Sequence, residues 1–168
     1  MDATPDATPD PTPDAIADPA TAALPEAVIF DVDGTLADVA PIRHYVTGDD
    51  RNFHRFHAAA SLVHPHPEIV DLAASLGRAG YAIIIVTSRK EEWRLATITW
   101  LRKWEIEYDH LLMRRQADDR KDVEVKRDVL ASIRQRFRVV LAVDDNPAIV
   151  ALWNEERIPV VTWPGWPA

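Results

Sequence analysis

Five short apolar runs constrain the fold of this chain more than any other feature: Val28 to Phe30, Ala82 to Val86, Leu111 to Met113, Val139 to Val143 and Val160 to Thr162. They are largely continuous and rich in β-branched residues, the pattern of strands buried on both faces. Segments with helical periodicity precede or separate them, over roughly 67–79, 89–105, 122–136 and 147–156. Pro67 suits a first helical turn and Gly80 a C-terminal exit. Ser88 with Glu91 fits a capping box, and Asn146 can cap a helix that opens at Pro147. Strand and helix in alternation predict an α/β domain, a doubly wound and mostly parallel sheet covered on both faces. Sheets of this kind bind ligands just beyond the carboxyl ends of their strands.

The residues at those ends are unusual. The first run stops at Asp31 and Asp33, the second at Thr87-Ser88-Arg89, the third at Arg114-Arg115 and the fourth at Asp144-Asp145. Each alone has an ordinary explanation, since Asp, Ser and Gly serve turns and helix caps. Together they bring four carboxylates to one sheet edge, where they repel one another unless a cation holds them. A hard cation with oxygen ligands, most plausibly Mg2+, is the expected neutraliser. A carboxylate nucleophile, a metal and surrounding hydroxyl and cationic groups make a phosphoryl-transfer site. A second carboxyl nearby can protonate the leaving oxygen and then activate water.

Composition sets the limits. Residues 1–27 hold six acids and no Lys or Arg, so the formal charge of -8 falls to -2 for the remainder, with 21 acids against 19 bases. A globally basic nucleic-acid binder is not indicated, though a local basic patch is compatible with these numbers. Thr-Pro-Asp repeats over residues 2–14, and six of the 13 prolines lie before residue 26. We therefore expect residues 1–27 to form a disordered acidic tail and residues 28–168 a single domain. Cysteine is absent, which removes thiolate and disulfide chemistry. Neither a signal-like N-terminus nor a membrane-length apolar stretch is visible, and the expected location is cytoplasmic.

The hydrophobic-DxDGT sequence of Ile29 to Thr35, the strand-ending Thr87, the downstream Lys126 and the paired Asp144 and Asp145 resemble the haloacid dehalogenase superfamily of aspartate-nucleophile phosphohydrolases. The resemblance spans essentially all of residues 28–162 and implies that superfamily's Rossmann-like fold. It implies Asp31 as nucleophile and metal ligand, and Asp33 as general acid/base offering its backbone carbonyl to the metal. Thr87 would bind the phosphoryl group, and Lys126 would offset its charge and that of Asp31. Asp145 and Asp144 would complete the metal site, with their direct and supporting roles exchangeable. A narrower resemblance joins residues 86–90, 111–130 and 141–153 to the 3'-phosphatase domain of polynucleotide kinase. It rests on Met113-Arg114, Asp118 or Asp119 with Arg120, Asp122, Val125-Lys126, and Arg89 after the second strand. Ser88 departs from that pattern, standing where glycine is common.

Only five glycines are present and none begins a GxxxxGK[ST] loop, so kinase activity, if coupled to this chain, would come from a separate kinase or ligase partner. The segment 36–82 is too short for a large lid once its helix is counted, which implies a minimal cap and an open mouth. Residues 41–60 interleave Arg43, Arg51 and Arg55 with Tyr45, Phe53, Phe56 and three histidines. They read either as an amphipathic helix with both phenylalanines packed down or as a surface that grips phosphates and stacks a base. Trp93, Trp100 and Trp104 read as packing along one helix. Ser88, Arg43, Arg114 and Arg120 are the expected substrate contacts. The expected substrate is a phosphorylated nucleic-acid end; a free nucleotide or another small ester is the second reading, and a non-catalytic phosphate-binding scaffold the third.

Overall fold

The computed structural model describes residues 23–163 and residue 165. Five parallel strands form one sheet in the order β3-β2-β1-β4-β5: β1 (Glu26–Phe30), β2 (Ala82–Lys90), β3 (His110–Arg114), β4 (Arg138–Asp144) and β5 (Val160–Thr162). Helices α1 (Phe53–Ala60), α2 (Pro67–Arg78), α3 (Arg94–Lys103), α4 (Asp122–Ile133) and α5 (Pro147–Glu155) complete the domain.

The strands are apolar on both sides because each side meets its own core. Val28, Phe30, Ile83, Ile85, Leu111 and Met113 join Phe56, Ile69, Trp100 and Leu101 of α1, α2 and α3. Their neighbours Ala27, Ile29, Ile84 and Val86 join Leu130, Ile133, Ile149 and Trp153 of α4 and α5. Alternate residues of one strand point to opposite faces, so a continuous run is what two helical layers require. The helix ends follow local chemistry: Pro67 and Pro147 occupy first turns, the Asn146 side chain accepts from the Ala148 N–H at 3.0 Å, and Gly80 takes φ +94° beyond α2.

Several boundaries differ from the sequence reading. β1 starts at Glu26, inside the stretch assigned to the tail, because Ala27 is fully buried and pairs with both Ala82 and Val139. Of the rest of that stretch, residues 1–22 lie outside the described residues. The helix expected from residue 89 begins at Arg94 instead, after a 3-10 turn at Glu91–Trp93, and the Ser88/Glu91 capping box does not form. β2 continues to Lys90, which pairs with Arg114, so Ser88 and Arg89 lie within the strand instead of opening a helix. Of the three tryptophans only Trp100 lies within α3, with Trp93 in the preceding 3-10 turn and Trp104 at the helix exit. Phe56 is packed down as expected, whereas Phe53 is 59% exposed. The segment between β1 and α2 holds only a 3-10 turn at Ala40–Tyr45 and α1, a small cap region.

Candidate active site

The carboxyl ends of β1, β2 and β4 open into one cavity of about 590 Å³, lined among others by Asp31, Asp33, Thr87, Arg89, Lys126, Asp144 and Asp145. The chain leaves β1 through a tight loop in which Leu36 N–H donates to Asp31 O and Ala37 N–H to Val32 O. Gly34 sits at φ +98° in this loop, and a Cβ there would collide with the Asp145 carboxylate. Glycine is thus required twice, by its backbone angle and by the approach of β4's end.

Asp31, Asp144 and Asp145 are all buried and can each offer a carboxylate oxygen within 4.8 Å of the others. Lys126, carried in from α4 and itself buried, donates to Asp31 Oδ1 at 2.7 Å and to Asp144 Oδ2 at 2.8 Å. Burial alone would lower the lysine's pKa, but the two carboxylates outweigh it and hold the group raised and charged. One ammonium does not neutralise three carboxylates. Burial raises Asp31 well above its ordinary range despite Lys126, and pushes Asp145 up to about 7 against the hydrogen bond it receives from Thr35.

Asp144 and Asp145 are distinguished by their partners. Asp144 Oδ2 accepts from Lys126 and, at 3.3 Å, from the Trp153 indole N–H, while Oδ1 accepts from the Asn146 N–H at 3.1 Å. Asp145 Oδ1 accepts from the Thr35 hydroxyl at 2.9 Å, but its buried Oδ2 has no hydrogen-bond partner among the described residues. An orphaned buried carboxylate oxygen beside two further acids is the donor arrangement of a hard divalent cation.

Asp33 stands outside this cluster of three and has its own partner. Arg89 Nη2 and Nε donate to its two oxygens at 2.6 and 2.8 Å, and Arg89 Nη1 donates to Thr97 Oγ1 at 3.1 Å. A register shift in the β2–β3 pairing between Thr87 and Lys90 frees Ser88 and Arg89 from regular pairing and re-aims them. Burial would raise Asp33, yet the Arg89 guanidinium prevails and holds its carboxyl below the usual range. Thr87, also buried, accepts the Arg89 N–H at 3.3 Å.

The expected substrate contacts divide. Ser88 and Arg120 line the cavity, with Arg120 paired to Asp118 at 2.8 Å and Asp128 at 2.9 Å. Arg114 also lines it, but its guanidinium is committed to the carbonyls of Ser88, Asp118 and Arg120 and to the Asp122 carboxylate, so it ties the loop before α4 to the sheet. Arg43 lies in the 3-10 turn and is not among the cavity-lining residues. Thr35, Thr97 and Trp153 orient Asp145, Arg89 and Asp144, a role that the sequence reading assigns to none of them. Their partners lie 8 to 110 residues away, beyond any local motif.

Comparison with known proteins agrees with this geometry. The family model described as the polynucleotide kinase PNKP phosphatase domain matches residues 25–163. A curated relative from Autographa californica nuclear polyhedrosis virus, described as a "Putative bifunctional polynucleotide kinase/RNA ligase", is 28% identical over 140 residues, 82% of this chain and 19% of that protein. A chain in a solved Pnkp1/Rnl/Hen1 complex is 30% identical at a TM-score of 0.72, covering 83% of this chain and 46% of that one. The class C acid phosphatase from Bacillus anthracis, at 18% identity, TM-score 0.62 and coverage of 88% and 70%, shares the fold. The chain spans about half the length of that solved relative and a smaller part of the viral one. With residues 25–163 matched and the acidic cluster in place, the chain belongs to the polynucleotide kinase PNKP phosphatase domain family and is a phosphohydrolase of the haloacid dehalogenase type.

Proposed function

We propose that this chain is a magnesium-dependent polynucleotide 3'-phosphatase working through an aspartyl-phosphate. The observation that carries the reading is the buried Asp31–Asp144–Asp145 cluster, bridged by Lys126 and opening into a cavity without a large lid. In this reading Asp31, Asp145 and the Asp33 backbone carbonyl would hold the ion, with Asp144 oriented behind them by Lys126 and Trp153. The bound ion supplies charge neutralisation for the phosphoryl oxygens and for Asp31.

Asp31 attacks phosphorus: an aspartyl O–P bond forms and the bond to the 3' oxygen breaks. The leaving oxygen takes a proton from Asp33, and in the second step Asp33 removes a proton from the water that attacks phosphorus and releases Asp31. Thr87 donates its hydroxyl to a phosphoryl oxygen, and Lys126 stabilises the charge that builds there. Asp33 in the grip of Arg89 is poised as a base. To act first as an acid it must be released, and the incoming phosphoryl group is the anion that competes for Arg89. The narrow part of the reading, a nucleic-acid 3' end, rests on family membership and on the open mouth. In the solved relative a chain of this kind lies in a complex named for Pnkp1, Rnl and Hen1. By analogy this chain would act beside a kinase or ligase on nucleic-acid ends.

The test compares magnesium-dependent phosphate release from a 3'-phosphorylated oligonucleotide, its 5'-phosphorylated counterpart, and 3'- and 5'-mononucleotides. The reading expects the first to be preferred; preference for mononucleotides would shift the assignment to a nucleotidase.

A further inference from the structure

The cavity has two unlike sides, and the chemistry described so far uses only one. Besides the carboxylates, the cavity lining holds a wall of four rings drawn from two separate segments: Phe53, His54 and His57 of α1, and Trp93 in the 3-10 turn that follows the β2 irregularity. Trp93 is braced by the two imidazoles, with ring centroids 5.1 Å from His54 at 64° and 5.7 Å from His57 at 50°. Phe53 is 59% exposed, although α1 already has its core anchors in Phe56 and Ala60. Stability of α1 therefore does not call for an aromatic residue at position 53. His57 Nδ1 is buried without a hydrogen-bond partner among the described residues, and the imidazole faces the Asp33–Arg89 pair. A sugar or alkyl phosphate has no flat face to offer such a wall. A nucleobase has one, with heteroatoms at its edge.

We propose that Phe53, His54, His57 and Trp93 form the seat of the terminal nucleobase, stacking it while the phosphoryl group lies against Asp31. This assignment rests on the 3'-phosphatase reading and names the part of the substrate that the cavity selects. Trp93 and Phe53 supply the stacking surface, and His57 meets a polar edge of the base.

The experiment measures kcat and KM for two oligonucleotides that differ only in whether the 3'-phosphorylated terminal sugar carries a base or is abasic, and for a phosphotyrosyl peptide. Wild-type protein is compared with Trp93→Ala, Trp93→Phe and Phe53→Ala. Base stacking corresponds to roughly 5- to 150-fold in affinity. Wild-type protein is expected to prefer the base-bearing end by a factor in that range, chiefly through KM. Trp93→Ala should lose at least five times more on the base-bearing end than on the abasic one, Trp93→Phe should recover most of that difference, and Phe53→Ala should show a smaller loss in the same sense. The exposure of Phe53 keeps that variant informative should Trp93→Ala fail to fold. Equal wild-type turnover of both ends, or equal losses on both in the variants, overturns the base seat while leaving the 3'-phosphatase reading standing. Preference for the phosphotyrosyl peptide overturns the base seat in favour of an aryl phosphate. Failure to turn over either 3'-phosphorylated end overturns the underlying reading as well.

Discussion

Arg89 holds both carboxylate oxygens of Asp33, at 2.6 and 2.8 Å, while its remaining terminal nitrogen is pinned by Thr97. The arginine is 1% exposed and the aspartate half-buried, so the pair is shielded from competing water. Its geometry needs the planar fork of a guanidinium, which a point charge does not reproduce. Arg89→Lys is therefore expected to lower kcat/KM by about 10²- to 10³-fold on any phosphomonoester substrate. Thr97→Val removes one hydrogen bond and is expected to lower it roughly tenfold or less. Steady-state kinetics on a single ester check both, and wild-type rates in Arg89→Lys would contradict the role assigned to the pair.

Trp153 tests the support of the proposed metal site from behind. Its indole N–H reaches Asp144 Oδ2 at 3.3 Å from a fully buried position on α5. Trp153→Phe keeps most of the packing and deletes the donor. Loss of such a support typically weakens metal affinity by about 10- to 100-fold, and we expect a value near the lower end. Magnesium titration followed by calorimetry reads the affinity, and thermal unfolding shows that the fold persists. Trp153→Ala is the less informative change, because truncating a buried tryptophan costs about 3–5 kcal/mol of stability on its own.

The acid cluster makes metal binding depend on protons. Burial, opposed by the Thr35 hydrogen bond, pushes Asp145 up to about 7 in the metal-free protein, and burial raises Asp31 as well. An ion takes up the ionised form, so binding expels a proton below neutrality and affinity falls as pH drops. Calorimetry in two buffers of different ionisation enthalpy is expected to show at least one proton released per magnesium near pH 6, and fewer at a pH above the Asp145 value of about 7. Stability follows the same sign. The folded metal-free state binds more protons than the unfolded chain between about pH 4 and about pH 7, so this cluster makes it less stable as pH rises through that window. Saturating magnesium should remove that loss.

The parallel sheet was legible because its strands are buried on both faces and so leave unbroken apolar runs, as at Ile83 to Val86. The carboxylates were legible because they follow those runs directly. What sequence did not disclose depends on contacts between distant segments. The β2 irregularity that turns Arg89 toward Asp33 has no local signature, and in its absence Ser88 and Glu91 read as a helix cap. Charge and neighbours mark Arg43 as a substrate contact, but they do not disclose whether the folded chain brings it to the cavity lining, from which it is absent. The spacing of Phe53 and Phe56 fits a packed face as well as a stacking surface, and only Phe56 enters the packed layer. Trp93 was grouped with Trp100 and Trp104 by helical spacing, and the 3-10 turn separates it from that helix and places it on the cavity wall.

The central claim is that Asp31 becomes covalently phosphorylated by a nucleic-acid 3' end. Its most direct test mixes the protein and magnesium with an oligonucleotide bearing a radiolabelled 3'-phosphate, quenches with acid within a turnover, and maps the label by peptide mass spectrometry. The account predicts label on the peptide containing Asp31, its loss on chase with unlabelled substrate, and neither label nor turnover in Asp31→Asn. Turnover of the 3'-phosphate with no labelled protein, and undiminished in Asp31→Asn, would contradict it.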